Sequence, residues 1–143
     1  MTFAFNGLIK RLMGAALAIF IGLCLVVFPL GKAAIASEPM SGDFISDTIS
    51  VAQSLQETIA IPIDDEGLEE AEEDAAQLIT AYISRYRNRP QVNQRLSYTT
   101  MQTALNAMAG HYKTFPNRAL PDQLKERLKN QLTKAEQLAI KES

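Results

Sequence analysis

A single cysteine, a single histidine and no tryptophan occur in 143 residues. Cys24 lies inside an apolar leader, so the rest of the chain can form no intramolecular disulfide and no thiolate zinc site. Nucleophile-and-base catalysis needs a hydroxyl or thiol beside a His or Lys. The lone His111 stands next to Tyr112 near the end of a helical stretch, where a histidine reads as a capping or surface residue. No glycine-rich phosphate loop, no Glu-x-x-His pair and no zinc spacing is present. Alternating β-branched residues are scarce, and Ala, Leu, Gln, Glu and Lys dominate the second half, so helices rather than strands are expected. Together these absences point away from an enzyme and toward a binding protein.

Positive charge is also in short supply. The formal net charge is -2, but Lys10, Arg11 and Lys32 all precede residue 37 and no acid does. Without them, 11 of the 14 basic residues face 16 acidic ones, a balance of about -5. Such a domain lacks the basic face that nucleic acid requires.

What is present begins with a leader. Lys10 and Arg11 precede an uncharged run of about 20 residues, Leu12 to Gly31, and Ala34 and Ala36 supply the small residues of a cleavage site. The pattern predicts a cleavable secretory signal over residues 1–36, cut after Ala36, followed by a linker over 37–42 and a domain over 43–143. Two alternatives stand beside it. The run is long enough to stay as a membrane anchor, and Cys24 is a candidate lipidation site. Leu23 is not the small residue that lipid processing favours before its cysteine, and Leu25 to Phe28 remain apolar after it, so cleavage after Ala36 is preferred. In each case the domain lies across the membrane from Lys10 and Arg11.

The domain reads as four amphipathic helices. Asp43 or Ser41 caps the first, whose inner side is Phe44, Thr48, Val51, Leu55 and Ile59, and Pro62 stops it. Eight acids crowd the eleven residues from Asp64 to Asp74, where the backbone dipole of a second helix favours them. The order of these acids does not fit a calcium loop, although a cation-binding role for the stretch stays open. The second helix is expected to bury Leu68, Ala71, Ala75, Leu78, Tyr82 and Tyr86 and to run through Arg85, Arg87 and Arg89 to Pro90. A polar turn, Gln91 to Leu96, leads to a third helix capped by Ser97 or Thr99. Its inner side is Tyr98, Met101, Leu105, Met108, Tyr112 and Phe115. Leu120-Pro121 opens the fourth, lined by Leu120, Leu124, Leu128, Leu132, Ala135 and then Leu138 or Ala139. The expected fold is all-α, an up-down-up-down four-helix bundle behind its signal peptide.

Arg85, Arg87, Arg89 and Arg95 flank one turn. They serve either as complement to a helix dipole or as a cationic patch reading carboxylates on a partner. Asn106 and His111, on the exposed side of the third helix, join them as candidate partner-binding residues. Tyr82-Ile83-Ser84-Arg85-Tyr86-Arg87, then Tyr98-Thr99-Thr100-Met101-Gln102-Thr103-Ala104-Leu105-Asn106 and Ala109-Gly110-His111-Tyr112, resemble the photosystem II assembly-factor family. So do Pro121, Leu124, Lys125, Arg127 and Leu128. The resemblance covers most of residues 41–143.

Members of that family are small four-helix proteins of the thylakoid lumen, often lipoproteins, in cyanobacteria and chloroplasts. The resemblance implies a non-catalytic monomer without cofactor. Its partner would be immature or damaged photosystem II, through the lumenal loop of an inner antenna chlorophyll protein. It would act before the manganese–calcium cluster is complete, holding extrinsic subunits off and assisting assembly and repair. The residue pattern leaves two other roles open, a lumenal cation-binding protein and a membrane-anchored structural protein.

Overall fold

The computed structural model describes residues 40–116 and 118–143. The leader, the cleavage point at Ala36 and Cys24 lie outside them. Four helices follow one another: α1 (Phe44–Ala60), α2 (Leu68–Tyr86), α3 (Leu96–Thr114) and α4 (Asp122–Lys141). Among the described residues none is long and apolar enough to cross a membrane.

Cross-helix hydrogen bonds fix the directions. Thr48 meets Tyr82 and Asp47 meets Tyr86, so α1 and α2 run antiparallel. Gln53 meets Glu136 and Gln56 meets Thr133, which sets α4 antiparallel to α1. Ser97 at the start of α3 meets Glu142 past the end of α4. The chain is therefore the expected up-down-up-down bundle. α1 and α3 touch across the middle, whereas α2 and α4 stay apart.

The core is apolar and aromatic: Val51, Leu55, Ile79, Tyr82, Tyr86, Tyr98, Met101, Leu105, Met108, Leu128 and Leu132 are each almost wholly buried. The stripe of α2 differs from the expected one. Ile79 is buried where Leu78 was expected, and Leu68, Ala71 and Leu78 are half-buried. Both Leu78 and Ile79 fit between Ala75 and Tyr82 at spacings of three and four. They lie about 100° apart around the helix, and only the neighbouring helices decide between them. Phe115 is 45% exposed because α3 ends at Thr114, so helical periodicity no longer governs it. α2 ends at Tyr86, ahead of Pro90, and the link to α3 buries Val92 despite its otherwise polar composition.

Caps also depart from expectation at α3. Asp43 caps α1 by accepting from the Ser46 N–H at 2.9 Å. Ser97, by contrast, sits inside α3 and is buried. Its N–H donates to Glu142 Oε1 at 3.2 Å, and its hydroxyl donates to Glu142 Oε2. A carboxylate from the far end of α4 thus covers the positive end of α3.

One acid belongs to the interior. Asp47 is 2% exposed and accepts from the Ser41 N–H (2.7 Å), the Ser41 hydroxyl (2.8 Å), the Gly42 N–H (3.2 Å) and the Tyr86 hydroxyl (2.5 Å). Arg85 stands 3.5 Å from the same carboxylate and donates to the Met40 carbonyl at 2.8 Å. The strap Met40–Gly42, expected to be linker, is therefore fastened to α1 and α2. Gly42 makes the required bend at φ +93°, where a side chain would be strained. Next to it, Tyr82 donates to Thr48 Oγ1 at 2.7 Å, and Thr48 in turn donates to the Phe44 carbonyl at 2.7 Å. Phe44 meets Tyr86 edge-on at 5.3 Å between ring centroids. Burial alone would push the Asp47 carboxyl up. The hydroxyls of Tyr86 and Ser41 and the two backbone N–H groups outweigh it and hold the group below the usual carboxylate range. Burial, then the hydrogen bond to Asp47, pushes the Tyr86 hydroxyl well up.

Replacing Asp47 with Asn is expected to cost about 2–4 kcal/mol, read by urea unfolding at neutral pH. Because the folded-state pKa of Asp47 is depressed, its contribution is present above the unfolded value of about 3.9 and fades as pH falls through the folded value. The gap between the parent and Asp47→Asn should narrow in that acid window, and a gap independent of pH would show that the charge is not its source. Glu142→Gln should cost about 1 kcal/mol, with hydrogen-exchange protection falling first at the start of α3.

Candidate partner-docking surface

The end of α2, the link Arg87–Arg95, the start of α3, the strap before α1 and the end of α4 meet at one end of the bundle. All four candidate arginines stand there because they flank a helical hairpin. Their environments differ. Arg85 is held from below by Asp47 and the Met40 carbonyl. The Arg89 guanidinium lies over the Tyr86 ring at 5.1 Å, and that of Arg95 over Phe44 at 5.4 Å. Arg95 Nε also donates to the Gln91 carbonyl at 3.2 Å. Arg87 is exposed, and its carbonyl takes a hydrogen bond from Asn93 Nδ2 at 3.1 Å. Among the described residues the ion pairs are Arg85–Asp47 and Lys129–Glu126, so Arg87, Arg89 and Arg95 carry their charge without a carboxylate partner. Stacking on a fixed ring restrains a guanidinium while leaving its N–H fork open, which suits bidentate contact with a carboxylate.

The remaining candidates lie elsewhere. Asn106 is exposed on α3, eleven residues past Arg95 and so about 16 Å along the axis. His111 is about 24 Å from Arg95 by the same measure, at the opposite end of the bundle. Its Nε2 lies 3.0 Å from the Arg118 carbonyl, and its ring lies 5.3 Å from that of Phe115. The acidic stretch Asp64–Asp74 shares that end and does not pair with the arginines. Its acids are exposed apart from a half-buried Glu72. Burial pushes the Glu72 carboxyl up, and His111 and Lys125 pull it partly back. Among the described residues no group of three or more His, Cys, Asp or Glu is arranged to hold a metal ion.

Two features at the arginine end escaped the sequence reading. Leu96 is 57% exposed and Ile140 is 54% exposed. Leu96 adjoins Ser97 and Ile140 lies just before Glu142, so the Ser97–Glu142 bond places both at this end. Their one available signal was that each falls off the apolar stripe of its helix.

A binding surface is what this arrangement offers chemically: three open guanidinium forks, two of them over aromatic rings. Comparison with known proteins agrees with the fold that supports it. The family model described as "Photosystem II Pbs27" matches residues 10–138. The photosystem II assembly factor lipoprotein Psb27 of Thermosynechococcus vestitus is 35% identical over 127 residues, 89% of this chain and 92% of that protein. The photosystem II lipoprotein Psb27 of Synechocystis is 37% identical over 136 residues, covering 95% of each. The solution structure of Psb27 from cyanobacterial photosystem II superposes with a TM-score of 0.70 at 36% identity, covering 80% of this chain and 99% of that one. The chain belongs to the Psb27 family of photosystem II proteins.

Proposed function

We propose that this protein is a non-catalytic assembly and repair factor for photosystem II. It binds the lumenal face of the immature complex, on the lumenal loop of an inner antenna chlorophyll protein, as a monomer in the thylakoid lumen. There it assists assembly of the manganese cluster and keeps extrinsic subunits off until the cluster is complete. The observation that carries this reading is the arginine-bearing end of a bundle of this family. Two guanidinium groups there, those of Arg89 and Arg95, lie over tyrosine and phenylalanine rings, and among the described residues neither forms an ion pair with a carboxylate. His111, at the other end of the bundle, is engaged by the Arg118 carbonyl and the Phe115 ring.

Of the six candidate residues, Arg87, Arg89 and Arg95 form the docking group and Arg85 supports it from beneath. Asn106 and His111 join the footprint only where the partner extends along α3. The leader admits two readings. Residues around Ala36 favour cleavage there and a soluble lumenal form, while the word lipoprotein in the names of both relatives brings attachment through Cys24 to this chain as the second.

The test is purification of the full chain from its own membranes, tagged past Ser143 on a flexible linker so that Glu142 stays in place. Photosystem II core subunits lacking extrinsic proteins are expected to co-purify, and the mass of the N-terminal peptide distinguishes the two leader readings. Recovery alone or with unrelated proteins would overturn the assignment. The double variant Arg87→Glu/Arg89→Glu should lose most of the co-purifying core, with thermal unfolding shifted by under about 2 °C, because both side chains are exposed. A fall in stability with capture intact would make these arginines structural.

A further inference from the structure

The two ends of the bundle are opposites. Arg85, Arg87, Arg89, Arg95 and Lys141 outnumber Asp43, Asp47 and Glu142 at one, while the acids from Asp64 to Asp74 outnumber Lys113, Arg118 and Lys125 at the other, about 28 Å away along α2. An acidic partner is drawn to the first and repelled by the second, so the charge distribution selects an orientation before contact. Charge alone steers association but holds weakly, since exposed ion pairs are screened by salt. The same end supplies what the cations lack. Leu96 and Ile140 are each more than half exposed and lie at the same end of the bundle as the arginines, Lys141 and Glu142. Strongly bound protein interfaces have this composition, an apolar centre within a charged rim that includes arginine.

We infer that the bundle docks end-on through an amphipathic platform, with Leu96 and Ile140 as the apolar anchor and Arg87, Arg89 and Arg95 as its charged rim. The occupant is an acidic polypeptide segment of photosystem II that carries at least one exposed apolar side chain. This inference rests on the photosystem II reading above and adds the contact geometry and the chemistry of the partner segment. The platform is rigid because its base is tied. Asp47 and Arg85 hold the strap, Tyr86 and Phe44 carry two of the guanidinium groups, and Glu142 joins α4 to the start of α3. A tied base avoids most of the ordering cost that a loop would meet on binding.

The proposal separates rates. Full-length chain is immobilised through its C-terminal linker and exposed to detergent-solubilised photosystem II cores stripped of extrinsic proteins. Leu96→Ser/Ile140→Ser is expected to raise the dissociation rate on the order of 10-fold, leaving association and its salt dependence nearly unchanged. Arg87→Gln/Arg89→Gln is expected to slow association about 10-fold at low salt and to flatten its salt dependence. Asn130→Arg on the side of α4 and Phe115→Ala at the acidic end should each change the dissociation constant by less than about 2-fold. Unchanged melting curves confirm that all four variants are folded. Loss of binding by Asn130→Arg or Phe115→Ala, with the two platform variants normal, overturns end-on docking while the photosystem II reading stands. Absence of binding by the parent chain overturns both. Vesicles of phosphatidylcholine with and without phosphatidylglycerol run in parallel. Platform-dependent binding to the anionic vesicles but not to the cores would make the occupant a lipid surface and overturn the polypeptide assignment.

Discussion

A buried carboxylate organises the arginine-bearing end of this bundle. Removing Asp47 from water costs several kcal/mol, and that cost is met by placing four hydrogen-bond donors and a guanidinium around it. Each donor brings a different part of the chain into register: the strap through Ser41 and Gly42, α2 through Tyr86 and Arg85. Tyr86 is thereby fixed as the surface on which Arg89 lies. Phe44, packed edge-on against Tyr86, does the same for Arg95. The positions of cations facing solvent thus follow from an anion that does not. Neutralise the anion, and strap, tyrosine and arginine lose their common partner at once.

Much of the architecture was legible in the sequence because helix periodicity and stop signals are strong in it. Phe44, Thr48, Val51, Leu55 and Ile59 do form the buried side of α1, and Leu128, Leu132, Ala135 and Ala139 that of α4. The errors share a cause. Leu78 and Ile79 are equally good by spacing, and the choice between them belongs to α1 and α3. Phe115 kept the spacing of α3 but lay beyond its last turn. Val92 sat in a polar link and was buried by a tertiary contact that no local pattern encodes. Glu142 reaches Ser97 across 45 residues of chain, a separation at which periodicity says nothing. Asp47 did leave a trace: it falls three residues after Phe44 and four before Val51, on the side of the helix that must be apolar. An acid on that side is either an error of assignment or a satisfied group.

The candidate site was legible in part for the same reason. Four arginines around a helical hairpin must end up at one pole of a bundle, whatever the details of packing. Their distance from His111 was also implicit, because a helix advances about 1.5 Å per residue. What no pattern revealed was the division of labour among them. Arg85 faces inward to a carboxylate and a carbonyl, whereas Arg87, Arg89 and Arg95 keep their forks available. The acid-rich start of α2 and the basic end of the same helix each match the backbone dipole. Helix stability and partner recognition therefore make the same demand on the sequence at both poles.

The tyrosines give the molecule a built-in optical probe. Tyrosine is the dominant near-ultraviolet chromophore in a chain with no tryptophan, and three of the four tyrosines lie at the arginine-bearing end. Tyr82 lies 5.0 Å from Tyr86 and 6.3 Å from Tyr98, ring centre to ring centre, close enough to couple their transitions. Tyr86 additionally donates to a carboxylate and lies beneath a guanidinium, two contacts to which phenol absorption and emission respond. The near-ultraviolet circular dichroism of this protein is thus chiefly a local spectrum of one pole. Events at the acidic pole reach it chiefly through Tyr112, which stands apart from the other three.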